Sequence, residues 1–311
     1  MKLAKTLTSV SLIALSALTL AACGNADNSS KDSSSKASSS KVVKKSSSST
    51  KTTETAAKQT AGGALQDGTY NLEELDYSNG YKVKMSITVK DGKIADSTYD
   101  YINADGKSKT EDAAYEKSMK KVSGIGPKEY IPALRDALKK NGSNVGAIDV
   151  VSGATGSSLT FKNYLQQLVQ AAQAGKTDTI KIANTAKLQD GTYSLAEKND
   201  SHGYHTVFSI TVAGGKITES NYDNVNADGK SKTQDEDYEK KMKDVNKVGP
   251  KEYTKALNDS LVKNQEVEKV DAVSGATSSS NAFVLYAEQL INAAQAGNQT
   301  KIEVDNLVYG E

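Results

Sequence analysis

The ten residues "DVVSGATGSS" at Asp149–Ser158 recur as "DAVSGATSSS" at Asp271–Ser280, and the pentapeptide "VSGAT" is identical in both copies. A turn that leads into a helix accepts Ser, Thr, Asp or Asn at the capping position. Capping alone therefore does not account for five identical letters together with the upstream aspartate. This stretch predicts that both copies meet the same chemical requirement at the same place.

Other segments outward from this motif repeat in the same order. They are "LQDGTY" (65–70 and 188–193), "NADGKSKT" (103–110 and 226–233), "GPKEY" (126–130 and 249–253), and "QAAQAG" or "NAAQAG" (170–175 and 292–297). A period of about 120 residues is too long for a solenoid repeat and indicates a duplicated domain. We define repeat 1 as residues 65–184 and repeat 2 as residues 185–311.

Each repeat is predicted to be an α+β domain in which an antiparallel sheet packs against about three helices. Alternating apolar and polar residues surround a "DGK" or "GGK" turn, as in a β-hairpin. A short alternating segment after the last helix, "TIKIA" in repeat 1 and "TKIEV" in repeat 2, is expected to return to the sheet.

The helices are predicted from apolar spacing and from their end signals. The first helix is expected to bury Tyr115, Met119 and Val122, which lie at i, i+4 and i+7. Pro127 suits the first turn of the second helix, and Gly175 suits the end of the third. The same roles in repeat 2 fall to Tyr238, Met242, Val245, Pro250 and Gly297.

The N-terminus indicates export. Residues 1–22 combine two lysines with a short apolar run, as in a secretory signal peptide. The final "LAAC" resembles the lipobox of bacterial lipoproteins, which implies that lipoprotein-processing enzymes lipidate Cys23. Residues 23–64 then form a tether to the membrane.

The tether is rich in Ser and Lys and is predicted to be disordered. Its seven lysines outnumber its three acidic residues by four, and the signal peptide holds Lys2 and Lys5. Subtracting these six positive charges from the overall +1 leaves about −5 on the two repeats. We expect no nucleic-acid partner. The cationic tether is consistent with contact with an anionic membrane or wall polymer and also with a plain soluble spacer.

Chemistry that both repeats carry out can use only residues that both repeats contain. This requirement excludes several kinds of catalytic site. The only histidines are His202 and His205, both in repeat 2, and Cys23 is the only cysteine. A shared Ser-His-Asp arrangement or a shared histidine metal site is therefore absent. We expect no metal site, and we interpret the two histidines as solvent-exposed loop residues.

The chemistry of "SGAT" favours an anion. Gly153 permits a tight turn, Ala154 keeps the approach uncrowded, and the hydroxyl of Thr155 is expected at the start of a helix, where free N–H groups and the dipole attract negative charge. The alternative is a Ser/Thr helix cap with no ligand.

The motif resembles the flavinylation sequence Asp-x-x-Ser-Gly-Ala-Thr-x-Thr/Ser of FMN-binding domains, which occur in the NqrC and RnfG subunits of membrane redox pumps and in Gram-positive extracellular electron-transfer lipoproteins. In that family a flavin transferase joins FMN through its phosphate to the motif threonine. The resemblance implies covalent FMN on Thr155 and Thr277. It also implies a recognition frame of Asp149, Ser152, Gly153 and Ala154 with Asp271, Ser274, Gly275 and Ala276. The position two residues after the acceptor is Ser157 or Ser279, where the family often has Thr.

Two further sets of residues are candidates for flavin contacts. Lys107, Lys109, Lys230 and Lys232 in "NADGKSKT" can neutralise phosphate or reduced flavin, although the segment also fits a polar turn that caps a helix. Tyr99 and Tyr222 can stack on a flavin, although core packing also suits a tyrosine.

The resemblance implies an electron carrier more than an enzyme. It would be anchored on the outer face of the cell membrane and hold two FMN groups. Its electrons would come from a membrane dehydrogenase or a quinol-linked donor and leave to ferric iron, a shuttle or a terminal reductase. Non-specific reduction of ferric iron could accompany this role. The alternative is a ligand-binding or adhesive lipoprotein without redox chemistry. The signal peptide can in either case yield a signalling peptide.

Overall fold

The computed structural model describes residues 62–307. The expected signal peptide, the lipidated Cys23 and nearly all of the tether lie outside the described residues.

Each repeat contains three long strands, three helices and a short final strand. In repeat 1 these are β1 (Gly68–Glu74), β2 (Tyr81–Lys90), β3 (Lys93–Asn103), α1 (Ala113–Ser123), α2 (Pro127–Asn141), α3 (Thr155–Ala174) and β4 (Ile180–Ile182). In repeat 2 they are β5 (Gly191–Glu197), β6 (His205–Ala213), β7 (Lys216–Val225), α4 (Glu236–Asn246), α5 (Pro250–Asn264), α6 (Thr277–Ala296) and β8 (Ile302–Val304). The predicted α+β class is confirmed.

The two sheets have the same topology, with strand orders β3-β2-β1-β4 and β7-β6-β5-β8. Three strands of each sheet are antiparallel, whereas the returning strand is parallel, with Leu72 opposite Ile180 and Leu195 opposite Ile302. A parallel neighbour requires a long crossover, which the helices supply. The sheets are therefore mixed at one edge.

The "DGTY" segment holds the hairpin turn of its sheet. The carboxylate of Asp67 accepts hydrogen bonds from the backbone N–H groups of Asp91 and Gly92 at 3.1 and 3.0 Å. These bonds lower the pKa of Asp67. Both turn residues have positive φ, 52° and 70°, as a two-residue hairpin loop requires. A segment whose role the sequence did not reveal thus connects the start of β1 to the β2–β3 turn.

The second and third helices follow the predicted pattern. Pro127 begins α2, and Tyr130, Leu134 and Leu138 are buried on its inward face. Helix α3 ends at Gly175, which is in the left-handed conformation. Its buried apolar stripe is Phe161, Tyr164, Leu165, Leu168, Val169 and Ala172. This stripe packs against β1 and β2 and forms the core of repeat 1.

The prediction for the first helix is wrong at Val122 and Val245, which are 83% and 78% exposed. In both helices the chain reverses two residues later through a left-handed C-cap, so the last turn of the helix faces solvent. The buried residue of α1 is instead Glu116, whose carboxylate accepts a hydrogen bond from the N–H of Lys128 at 3.0 Å. Tyr115 and Met119 are half-buried.

The two repeats contact one another mainly through α3 and α6. The Asn163 side-chain amide donates to Oδ1 of Asn292 at 2.9 Å, and the Gln167 amide donates to the same oxygen at 3.2 Å. No helix within residues 62–307 is long and apolar enough to cross a membrane.

Replacing Leu134 by alanine is expected to lower the free energy of unfolding by about 2–5 kcal/mol, because it leaves a cavity in the core. Val122→Ala on the neighbouring helix is expected to change it by less than about 0.5 kcal/mol, because the side chain is exposed. Chemical denaturation measures both. A loss for Val122→Ala as large as that for Leu134→Ala would contradict the packing described for α1.

Candidate functional site

The "VSGAT" turn is held from inside by a serine of the following helix. Ser158 is buried, and its hydroxyl accepts from the N–H of Val151 at 3.0 Å and donates to the carbonyl of Ala154 at 2.9 Å. In repeat 2 the equivalent bonds join Ser280 to Val273 and Ala276 at the same distances. The conformation of the turn is therefore fixed in both repeats.

Gly153 meets two separate requirements. Its φ is +77°, a left-handed conformation that other residues rarely adopt. A Cβ at this position would also overlap the backbone carbonyl of Ser123 at the end of α1. Gly275 has φ +81° and approaches the carbonyl of Asn246 in the same way. Only glycine lets the turn lie against the end of α1 in repeat 1 and of α4 in repeat 2.

The exposed letters of the motif have no such packing role. Ala154 is buried, whereas Asp149, Ser152 and Thr155 are exposed. In repeat 2, Ala276 is buried and Asp271, Ser274 and Thr277 are exposed.

The helix-cap interpretation of the threonine does not fit the structure. The N-cap of α3 is Ala154, which makes no side-chain capping bond, and Thr155 is the first helical residue. The arrangement is the same for Ala276 and Thr277 in α6. Neither helix has an acidic residue in its first turn, so each threonine hydroxyl lies beside uncapped N–H groups that favour an anion.

A cavity of about 430 Å³ lies beside the start of α3. Its lining includes the turn-flanking Ser157, the aromatic rings of Tyr81, Tyr101 and Tyr115, and Lys109. We call it cavity 1. The equivalent space in repeat 2, cavity 2, measures about 170 Å³ and is lined by Ser279, Tyr204, Tyr238 and Lys232 among others.

The four predicted lysines divide into two pairs. Lys109 is buried, and its ammonium lies 4.1 Å from the ring centre of Tyr115 and 4.5 Å from that of Tyr101. Lys232 lies 4.1 Å from the ring centre of Tyr238. These cation–π contacts hold the charge at the cavity wall.

The other two lysines, Lys107 and Lys230, are exposed on the polar turn. Their backbone N–H groups donate to the side chains of Asn103 and Asn226, each at 2.8 Å. The "NADGKSKT" segment is therefore both a turn and a source of one cavity residue.

Tyr99 and Tyr222 are core residues, only 1% and 2% exposed. The ring of Tyr99 lies edge-on to Phe161 at 4.7 Å between ring centres. Its hydroxyl donates to the carbonyl of Ser157 at 3.4 Å. The ring of Tyr99 is thus closed off from cavity 1, whereas the buried Tyr222 is part of the lining of cavity 2, so stacking on a flavin stays a prediction for Tyr222. The hydroxyl of each tyrosine donates to a carbonyl in the first turn of a helix, Tyr99 to Ser157 of α3 and Tyr222 to Ser279 of α6.

Each cavity is lined by a glutamate that the sequence did not single out, Glu74, which is buried, and Glu197, which is half-buried. Glu74 is buried and accepts from the hydroxyl of Tyr164 at 2.6 Å and from the N–H of Val83 at 2.7 Å. Burial raises the pKa of Glu74. Glu197 accepts from Tyr286 and Thr206, both at 2.7 Å. Glu74 is the last residue of β1 and Glu197 is the last residue of β5. A glutamate at the same position of both repeats is the sequence signal that could have identified them.

The histidines occupy different places. His202 lines cavity 2 with its backbone at φ +55°, whereas His205 pairs with Asp200 at 2.7 Å. The interpretation of His202 as a plain loop residue therefore missed its place at the cavity. Within residues 62–307, no group of three or more His, Cys, Asp or Glu side chains is placed to hold a metal ion.

A family model described as the FMN-binding domain matches residues 80–170 and 202–292. The chain belongs to this family. Each match includes the hairpin, the helices and one "VSGAT" turn, so the two repeats are two FMN-binding domains.

Two relatives have the length of a single repeat. A 15 kDa lipoprotein of Treponema pallidum (strain Nichols) is 37% identical over 118 residues, which make up 38% of this chain and 83% of that protein. The crystal structure of the CPE2226 protein from Clostridium perfringens is 42% identical and covers 38% of this chain and 97% of its own, with a TM-score of 0.35.

The donor set around the cavities fits FMN. The phosphate of FMN suits the uncapped start of α3 and the nearby ammonium of Lys109. Its ring suits a wall of tyrosines and polar groups. The volume of cavity 1 is within the range of about 300–1,000 Å³ that is typical of small-molecule sites, and cavity 2 is smaller.

Gly153→Ala and Gly106→Ala form a matched pair, because the two glycines have φ of +77° and +78°. An alanine in this conformation costs about 1–2 kcal/mol. Gly106 has open space around it, so Gly106→Ala is expected to show only that loss. Gly153→Ala is expected to lose more free energy of unfolding, because its Cβ meets the Ser123 carbonyl. Equal losses in chemical denaturation would contradict this account of the turn.

Proposed function

We propose that this protein is a lipoprotein anchored on the outer face of the cell membrane, with one FMN esterified to each of Thr155 and Thr277, and that it passes electrons to extracellular acceptors. One observation carries the proposal. In both FMN-binding domains the motif threonine is exposed at the start of a helix, does not cap that helix, and lies on a rigid turn beside a lysine-lined cavity.

The division of the motif into buried and exposed letters supports modification by an enzyme. Val151, Gly153 and Ala154 fix the turn from within, through hydrogen bonding, close approach and burial. These contacts leave Ser152 and Thr155 identical between the repeats without a packing reason. A flavin transferase that reads the exposed letters gives them one. Its reaction joins Thr Oγ to the phosphate of FMN, and the AMP part of FAD leaves.

Several residues of this chain are suited to hold the attached group. The N–H groups at the start of α3 and the ammonium of Lys109 would hold the phosphate, and Tyr101 and Tyr115 keep that ammonium in place. Lys232 has the same position in repeat 2. The chemistry supplied by bound FMN is the reversible uptake of electrons.

The anchor is proposed from the N-terminus and from one relative. Cys23 stands at the lipobox position, and a protein that matches one repeat at 37% identity is named a lipoprotein. A lipid on Cys23 would attach the two domains to the membrane through the Ser- and Lys-rich residues 24–64. Electrons would enter from a membrane dehydrogenase or a quinol-linked donor and leave to ferric iron, a shuttle or a terminal reductase.

Intact-mass spectrometry of protein made together with a flavin transferase tests the attachment. The wild type is expected to carry two FMN esters, Thr155→Val and Thr277→Val one each, and the double variant none. Ser209→Ala is a suitable control, because this residue lies on β6 away from either motif, and it is expected to keep both esters. An unmodified wild type, or a double variant that keeps both groups, would contradict the proposal.

A further inference from the structure

Cavity 1 is not built by repeat 1 alone. Repeat 2 contributes Glu268, from the short 3-10 helix before its "VSGAT" turn, and Glu288, from α6. The lining of cavity 2 consists only of residues from repeat 2. The contact between the repeats therefore makes two sites of similar sequence unequal.

Glu268 lies directly against the start of α3. Its carboxylate is so close to Gly156 that a Cβ on this glycine would lie 2.6 Å from Oε1. Gly156 follows the acceptor Thr155, and the corresponding residue of repeat 2 is Ser278. The segments "SGATGSS" and "SGATSSS" differ only at this position, and it is here that the carboxylate of Glu268 approaches repeat 1.

The two carboxyls have no counterparts in repeat 1. The positions that correspond to Glu268 and Glu288 are Gly146 and Gln166. Cavity 1 is lined by three carboxyl groups and one ammonium, whereas cavity 2 is lined by one carboxyl, one ammonium and His202. The environment of cavity 1 is consequently the more negative.

We propose that the carboxyls of Glu268 and Glu288 make the flavin on Thr155 harder to reduce than the flavin on Thr277, so that electrons pass from repeat 1 to repeat 2. Reduction adds negative charge to a flavin ring, and nearby carboxylates oppose added negative charge. The inference rests on the proposed function, since it takes both threonines as flavin carriers.

The electron balance of this transfer is simple. The anionic reduced flavin of repeat 1 loses two electrons and one proton and becomes neutral and oxidised, and the flavin of repeat 2 gains two electrons and one proton and becomes the anionic reduced form. The protons are exchanged with water, and no bond of the polypeptide forms or breaks. A membrane quinol or reduced flavoprotein supplies the electrons, and a ferric complex accepts them after repeat 2.

The smaller cavity 2 is consistent with this direction. A site of about 170 Å³ encloses less of a bound group than one of about 430 Å³. A flavin held on Thr277 would therefore extend further out of its cavity, towards an external acceptor.

The effect is expected to depend on pH through Glu288. Burial and then the charge of Glu268 raise the pKa of Glu288 to about 7. Below this pH Glu288 is protonated and neutral, so the difference between the sites decreases, whereas above it both carboxylates act. The other titratable groups that line the cavity are Glu74, Tyr81, Tyr101, Lys109, Tyr115 and Tyr164.

The test compares two singly loaded proteins, Thr277→Val with flavin only on Thr155 and Thr155→Val with flavin only on Thr277. Spectroelectrochemistry at pH 8 is expected to give the more negative midpoint potential for the flavin on Thr155. Glu288→Gln and Glu268→Gln are each expected to shift that potential to a more positive value. Neither is expected to shift the potential of the flavin on Thr277.

Glu303→Gln is the control for charge. It removes the same charge from repeat 2 at an exposed residue that does not line cavity 1, and it is expected to leave both potentials unchanged. Equal potentials at the two sites, a more positive potential on Thr155, or equal shifts at both sites with Glu288→Gln would overturn the inference. If mass spectrometry finds no flavin on either threonine, it is the proposed function that fails.

A measurement on flavin-free protein tests the carboxyl pair separately. Carbon-detected NMR titration is expected to give Glu288 a pKa near 7, to lower that pKa when Glu268 is replaced by glutamine, and to leave it unchanged in Glu303→Gln. A pKa of Glu288 that does not respond to Glu268→Gln would overturn the geometry on which the inference rests.

Discussion

The contact between Gly153 and the last carbonyl of α1 is the constraint on which the site depends. It places the "VSGAT" turn directly against the end of α1, with no space for a side chain between them. The first residue of α3, Thr155, is thereby held at a fixed position relative to α1 and to Lys109, which precedes α1 in the chain. Because Ser158 then ties the turn to its own helix, the backbone that leads into Thr155 is held in one conformation.

The same constraint in repeat 2, at Gly275 and the carbonyl of Asn246, shows that the turn is a unit of the fold and not a feature of one site. What differs between the repeats lies around the turn. An enzyme that modified the threonines would meet the same exposed residues in both domains, while the groups that it attached would face different cavity walls. Duplication followed by change at a few wall positions would thus give two sites with different electrostatic environments.

The sequence predicted the helices, the strands and the duplicated motif well, because they depend on local rules of periodicity, turn residues and helix ends. It failed where a residue's environment depends on distant parts of the chain. Val122 has the spacing of a core residue, but it lies in the last turn of α1, which is exposed to solvent. Tyr99 has the chemistry of a flavin contact but lies under α3. Glu74 gave no local signal, since its partners, Tyr164 and the N–H of Val83, are brought to it only by folding.

By itself, the sequence determined that the chain holds two copies of one FMN-binding domain, each with a threonine motif too strictly repeated for a helix cap. The tertiary structure alone decided that Ala154 and not Thr155 is the cap, that Lys109 and not Lys107 faces the cavity, and that Glu268 and Glu288 reach into the site of the other repeat. Motifs and secondary structure can be recognised in the sequence because they depend on residues that are neighbours along the chain. The electrostatic environment of each site cannot, because it is a sum over charges that meet only when the two repeats pack together.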